Sequence, residues 1–308
     1  MFTGTVASNQ SMCSLLPEPA ALSREKGSAA LAEIVVFIDG RTKAGGILEF
    51  AGALAEEHGA RLIGVFLEPE PTITPAETFA RGTGMLRVSE VHRAQLARID
   101  ADYRALFEDI VRRHGIRPES EWISLPYLNN EVGVHAYHAD LVVIARPQPA
   151  AQTARPPGLA ESLILTSGRP IIVFPSRSAV SRVRRILVGW NARRESIRAV
   201  ADALPLLLKA ESVEVLIVDY EPQPAGHGQE PGADIGHHLA RRGVHVELQR
   251  LSSGREEVGH LLLSQAAAFG ADLLVMGAYG HSQLSEWMFG SVTRRVLRDT
   301  GLPVLMSR

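Results

Sequence analysis

Apolar and polar positions along the chain alternate between two kinds of run. Short continuous apolar stretches read as buried strands, and longer stretches with a 3-4 spacing read as helices with one apolar face. The first strand is Ile34–Ile38, ending in Asp39-Gly40. The spacing over Lys43–His58 predicts a helix, with Ile47, Leu48, Ala51, Leu54 and Ala55 on one stripe. Arg61–Leu67 is a second strand, and a Pro/Thr/Gly-rich loop covers Glu68–Gly84. Val88–Arg113 follows as a long helix, striped by Leu96, Ile99, Tyr103, Leu106 and Ile110. Glu121–Leu125 is a strand, Asn130–His138 a short helix, and Leu141–Ala145 and Ile171–Phe174 are further strands.

The order then restarts. Strands are expected at Ile186–Val188, Val213–Val218, Val244–Leu251, Leu273–Met276 and Pro303–Met306. Helices are expected at Glu195–Leu208, Ala233–Arg242, Arg255–Phe269 and Val292–Asp299. The stretch ADLLVMGAYG beginning at 271 matches ADLVVIARPQ beginning at 139. The first strands of the two series also end alike, with Asn191 against Asp39. The chain therefore reads as a duplication. Strands alternating with helices predict an α/β class: two tandem doubly wound open parallel sheets, Rossmann-like, with five strands each in the order 3-2-1-4-5. The expected division is a flexible arm over 1–30, a first domain over 31–178 and a second over 183–308.

The second series carries the chemistry. Gly277 closes a strand, Gly280 follows, and Gly290-Ser291 opens a helix, giving G-x2-G-x9-G-S. Gly277 and Gly280 let a ligand approach the backbone and permit positive φ, so that successive amides can point into one concavity. The first amides of a helix lack intrahelical partners and sit at its positive end, which makes a phosphate site. Ser291 and Thr293 add hydroxyl donors. The spacing is neither G-x-G-x-x-G nor a P-loop. In such a sheet the ligand lies outside the carboxyl ends of the strands where their order reverses, which places Asn191 and the glycine loop together.

With this motif, the chain resembles the universal stress protein family in its nucleotide-binding branch, as a tandem of two domains from about Ile34 to Arg308. The resemblance implies an adenine-nucleotide alpha-hydrolase-like fold and ATP as ligand, with ADP or AMP as alternatives and Mg as a possible accompanying ion. It places the phosphate and ribose loop at Met276, Gly277, Gly280, Gly290, Ser291 and Val292, the first-strand contacts at Gly189 and Asn191, and the adenine wall at Val218. His281, inside the loop, and Thr293 complete the nucleotide-binding set. Asn191 departs from the Asp usual in the family; it keeps one acceptor and adds two donors, and capping the next helix is its alternative use.

In the first series the motif is degraded. Ala145 stands for Gly277, Gln148 for Gly280 and Leu159 for Ser291, with only Gly158 kept opposite Gly290. Pro147, Pro156 and Pro157 supply no amide donors. The first half is expected not to bind ATP and to act as a structural partner. The family pairs domains through their last strands, so Ile171–Phe174 and Val304–Met306 are expected either to join within the chain or to support a homodimer.

Composition narrows the reading further. Over 308 residues, 45% hydrophobic and 21% charged residues fit globular cores, and a net charge of −2 argues against wholesale nucleic-acid binding. The single cysteine, Cys13, excludes an intramolecular disulfide and fits a reducing compartment. No apolar run approaches the ~20 residues of a membrane span, and no signal peptide is visible, so a cytoplasmic location is expected. His237, His238, His245 and His260 lie on different elements without a metal-ligand spacing. Arg193 and Arg194 fall at the rim of the expected crevice, where an arginine can neutralise phosphate. Trp287, Met288 and Phe289 read as core packing. No residue is convincingly placed to orient an attacking water, so binding with slow or no hydrolysis and a regulatory stress-response role is expected. The alternatives are an interaction scaffold without nucleotide and a weak hydrolase using His281 as base.

Overall fold

A computed structural model describes residues 30–39, 44–69, 83–126, 132–146, 159–176, 178–219, 232–278 and 290–308. The expectations for the arm, Cys13, Gly40, most of the loop after the second strand, Gln148, Gly158, the three prolines, Gly280, His281 and the Trp287–Phe289 cluster lie outside these residues.

The first half runs β1 (Glu33–Asp39), α1 (Ala44–His58), β2 (Arg61–Leu67), α2 (Thr83–Arg113), β3 (Glu121–Leu125), α3 (Val132–Tyr137), β4 (Leu141–Ala145), α4 (Leu159–Thr166) and β5 (Ile171–Phe174). The second runs β6 (Arg185–Trp190), α5 (Arg194–Leu207), β7 (Ser212–Val218), α6 (Ala233–Ala240), β8 (Val246–Leu251), α7 (Val258–Phe269), β9 (Leu273–Gly277), α8 (Ser291–Asp299) and β10 (Val304–Ser307). One helix, α4, is additional to the sequence reading.

The strands form one sheet of ten, in the order β3-β2-β1-β4-β5-β10-β9-β6-β7-β8. Each half has the order 3-2-1-4-5 with parallel pairing, but the expectation of two separate sheets is corrected. β5 and β10 pair antiparallel, with Ile171 opposite Met306, Ile172 opposite Leu305 and Val173 opposite Val304. The reason is physical: two apolar outer strands would each expose unpaired backbone groups, and joining them removes both edges. All six of these side chains are buried. Truncating one such as Ile172 to alanine typically costs about 2–5 kcal/mol.

Alternation along the strands sends side chains to two faces. Ile34, Val36 and Ile38 pack with α1, α2, α5 and α6 residues, whereas Val35 and Phe37 pack with residues of α3, α4, α7 and α8. The result is a three-layer α/β/α arrangement. Because the halves meet antiparallel, the carboxyl ends of their strands lie on opposite rims of the sheet.

Candidate functional site

A cavity of about 470 Å³ opens at the carboxyl ends of β6, β7 and β9. This is where the strand order of the second half reverses, with β6 flanked by β9 on one side and β7 on the other. The volume lies within the usual range for small-molecule sites, about 300–1,000 Å³. Gly189, Asn191, Val218, Met276, Gly277, Gly290, Ser291, Val292 and Thr293 all line it, as does Arg193. Arg194, the other arginine expected at the rim, is not among the lining residues.

The glycines are there for different reasons. Gly277 does not have a positive φ, so the sequence expectation of left-handed backbone there is corrected; Gly290, at φ −54°, opens its helix as expected. A Cβ on Gly277 would stand 2.5 Å from the carbonyl carbon of Glu195 and 2.6 Å from the Ser196 nitrogen. The first turn of α5 therefore lies directly on the end of β9, and only glycine leaves room. Gly189 is also set by packing, since its Cβ would meet Leu262 of α7 at 3.0 Å. Gly290 differs: a Cβ there meets nothing within 4 Å among the described residues. Its bare backbone faces the open cavity.

Gly290 is the N-cap of α8, and no side chain caps that end. The amides of Ser291, Val292 and Thr293 belong to its first turn, where an α-helix offers donors without intrahelical partners. Arg193, the N-cap of α5, also has no side-chain cap. Two positive helix ends and an arginine thus face one cavity. Asn191 lies between them. Its Oδ1 accepts the Arg193 backbone N–H at 3.1 Å, so its acceptor serves the entry to α5 and its amide NH2 supplies the remaining donors.

Of the lining residues that the sequence reading did not name, three stand out by their backbone. Gly232 precedes α6 at φ 79°, and a Cβ there would stand 2.1 Å from Ile217 Cδ1. The Pro231-Gly232 pair ahead of a helical run was the available signal. Ala192 and Asp219 hold φ of 56° and 50°, left-handed values that non-glycine residues rarely adopt and that cluster at functional sites. No sequence signal marks these two. Asp219 Oδ1 accepts the Ser253 N–H at 2.7 Å. Hydrogen bonds from Ser253, then Ser252, hold its carboxyl below the usual carboxylate range. Among the described residues, no group of three acidic, histidine or cysteine side chains is arranged to hold a metal ion.

Residues 182–308 match the sequence model of the Universal stress protein family. The C-terminal half belongs to that family. Universal stress protein Slr1230 of Synechocystis sp. (strain ATCC 27184 / PCC 6803 / Kazusa) is 37% identical over 70 residues, a stretch covering 23% of either protein. Similarity of fold extends across both halves. A universal stress protein from Archaeoglobus fulgidus DSM 4304 superposes with a TM-score of 0.61 at 14% identity, covering 89% of this chain and 96% of its own. PA1789, a functionally unknown protein of Pseudomonas aeruginosa PAO1, gives 0.54 at 15% identity, covering 90% and 92%.

Register aligns the first half with this universal stress protein domain. Ile34 faces Leu141 as Ile186 faces Leu273, and Ala145 pairs beside Phe174 as Gly277 pairs beside Ser307. Asp39 then corresponds to Asn191, Ala145 to Gly277, and the buried Phe37 to Gly189. Leu159 opens α4 where Ser291 opens α8. Two of the glycines around which the second cavity is built are thus absent from the first half. Among the described residues, no helix is long and apolar enough to cross a membrane.

Proposed function

We propose that the universal stress protein domain, over 183–308, binds an adenine nucleotide, ATP with or without Mg, and that the chain acts as a nucleotide-responsive stress protein. The observation that carries this is Gly290: a glycine free of left-handed strain, with no described residue within 4 Å of a Cβ built on it, at the uncapped start of a helix that faces a cavity. The triphosphate lies against the amides of Ser291–Thr293 and near Arg193. The base lies toward Val218 and Asp219, two strand spacings or roughly 10 Å away. Gly280 is assigned to the phosphate loop on the family pattern, and His281 to the same loop by its place in the sequence.

The reading is of binding with slow or no hydrolysis. Among the described residues, the one acidic side chain lining the cavity, Asp219, follows β7 rather than β9, and Ser253 engages it. The first domain, over 31–178, is assigned a structural role without nucleotide. The β5–β10 seam supports an intrachain pseudo-dimer in a monomeric chain.

Native mass spectrometry of freshly purified protein tests ligand and subunit count together. A single chain carrying one adenine nucleotide is expected. Absence of any nucleotide, with no melting shift on adding ATP, ADP or AMP, refutes the reading. It would favour the scaffold alternative, which draws support from the engagement of the Asn191 acceptor by Arg193.

A further inference from the structure

Arg146 follows β4 at the position that Ala278 takes after β9. Their backbones behave alike: Arg146 N–H donates to Phe174 O at 2.7 Å, and Ala278 N–H donates to Ser307 O at 2.9 Å. Their side chains do not. Ala278 is buried and stops at its Cβ. The Arg146 guanidinium crosses the seam into the other half, where its Nη1 donates to the carbonyl oxygens of Thr300 at 2.9 Å, Arg298 at 3.1 Å and Leu297 at 3.4 Å. These carbonyls end α8, where a helix leaves acceptors unsatisfied. The antiparallel seam makes the reach possible, because the carboxyl end of β4 lies on the same rim as the end of α8. The opposite end of α8 is the Gly290–Thr293 turn that lines the cavity.

We propose that Arg146, from the half whose glycine motif is lost, is a positioning residue for the phosphate end of the site in the other half. It fixes α8 at its C-terminus so that the amides of its first turn stay aimed at the nucleotide. The inference rests on the nucleotide reading above. The effect is one of placement more than of charge. Nine residues of helix span about 13 Å, beyond the ~8 Å screening length at physiological salt. Arg146 thus serves a helix end in the other half.

The test uses the full chain in three forms: wild type, Arg146→Met, which keeps most of the stem without donors, and Arg146→Lys, which keeps charge and donors. Calorimetry gives affinities for ATP and for adenosine, and hydrogen exchange without nucleotide reports on residues 291–299. Arg146→Met is expected to weaken ATP about five- to tenfold, at the low end of measured couplings between sites. It should leave adenosine unchanged and speed exchange in α8, and Arg146→Lys should recover part of both effects. Equal losses for ATP and adenosine, wild-type ATP affinity, or unchanged α8 exchange overturns the proposal. Wild-type protein that binds neither ligand refutes the nucleotide reading and the phosphate role with it, whereas wild-type affinity in Arg146→Met refutes the role of Arg146 alone. Should Arg146→Met fail to fold, the ratio of ATP to adenosine affinity in Arg146→Lys decides: a ratio below wild type supports the role and an unchanged one overturns it.

Discussion

At the end of its first strand the N-terminal half has a buried phenylalanine, Phe37, where the C-terminal half has Gly189. At the end of the fourth strand it has Ala145 where the other has Gly277. Strand order, register and layering are common to both halves, so the fold tolerates either set. The difference lies in helix placement. In the C-terminal half the bare backbone of Gly277 admits the first turn of α5, and Gly189 admits Leu262 from the twelve-residue α7. In the N-terminal half, larger side chains stand at both positions and the counterpart of α7 is the six-residue α3. A duplicated sheet keeps its core by conserving apolar character; a cavity at the strand ends depends on a few missing methyl groups.

The sharpest way to break this comparison is Gly277→Ala, which imports the first half's residue. Its Cβ meets backbone atoms that have no rotamer to yield, so a loss of about 3 kcal/mol is expected in urea unfolding. Next comes Gly290→Val. Apo stability should change by less than about 1 kcal/mol, because no described residue crowds that position. The stabilisation by ATP, ~2.7 kcal/mol at a hundredfold excess over Kd, should vanish. Unchanged ATP stabilisation in this variant would sink the assignment of α8 as the phosphate end.

The third prediction concerns the first half in acid. His58 closes α1 and is buried, and burial first, then the Lys209 charge, lowers its pKa to about 4. Since the unfolded imidazole titrates near 6.5, the native state resists protonation. Its contribution to stability is complete above about pH 6.5 and is lost as pH falls toward 4, on the order of 1–2 kcal/mol after partial screening. Unfolding free energies measured from pH 7 to 4 should fall less steeply in His58→Leu than in wild type. The smallest effect is expected from Ala145→Gly, the reverse exchange. A strand glycine costs about 0.5–1 kcal/mol, and no ATP-induced stabilisation of the first half should appear in hydrogen exchange, because Phe37 remains.

Much of this was legible in the residues. The inner strands announce themselves as nearly unbroken apolar runs because both faces of the sheet are covered there, whereas the outermost strands, β3 and β8, are mixed in character and partly exposed. The G-x2-G-x9-G-S spacing located α8 and the strand it follows. The helix α4 was not legible: eight residues give little more than two turns of periodicity, directly after Pro156-Pro157-Gly158. Joining the halves into one sheet was not decided by pattern either, since β5 and β10 look the same whether paired within or between chains. The reason for Gly277 was misread for a related cause. Sequence marks where a side chain is missing, but whether the vacated room receives a ligand or a neighbouring helix is a matter of tertiary approach. Ala192 and Asp219, with ordinary side chains in left-handed backbone, carry no mark at all.

The head-to-head seam at β5 and β10 has one more implication. It sends the carboxyl ends of the two sets of parallel strands to opposite rims of one sheet, facing away from each other. A small molecule filling the crevice beside Asn191 therefore occupies one rim and leaves the other, where Asp39 ends β1, open to solvent or to other contacts.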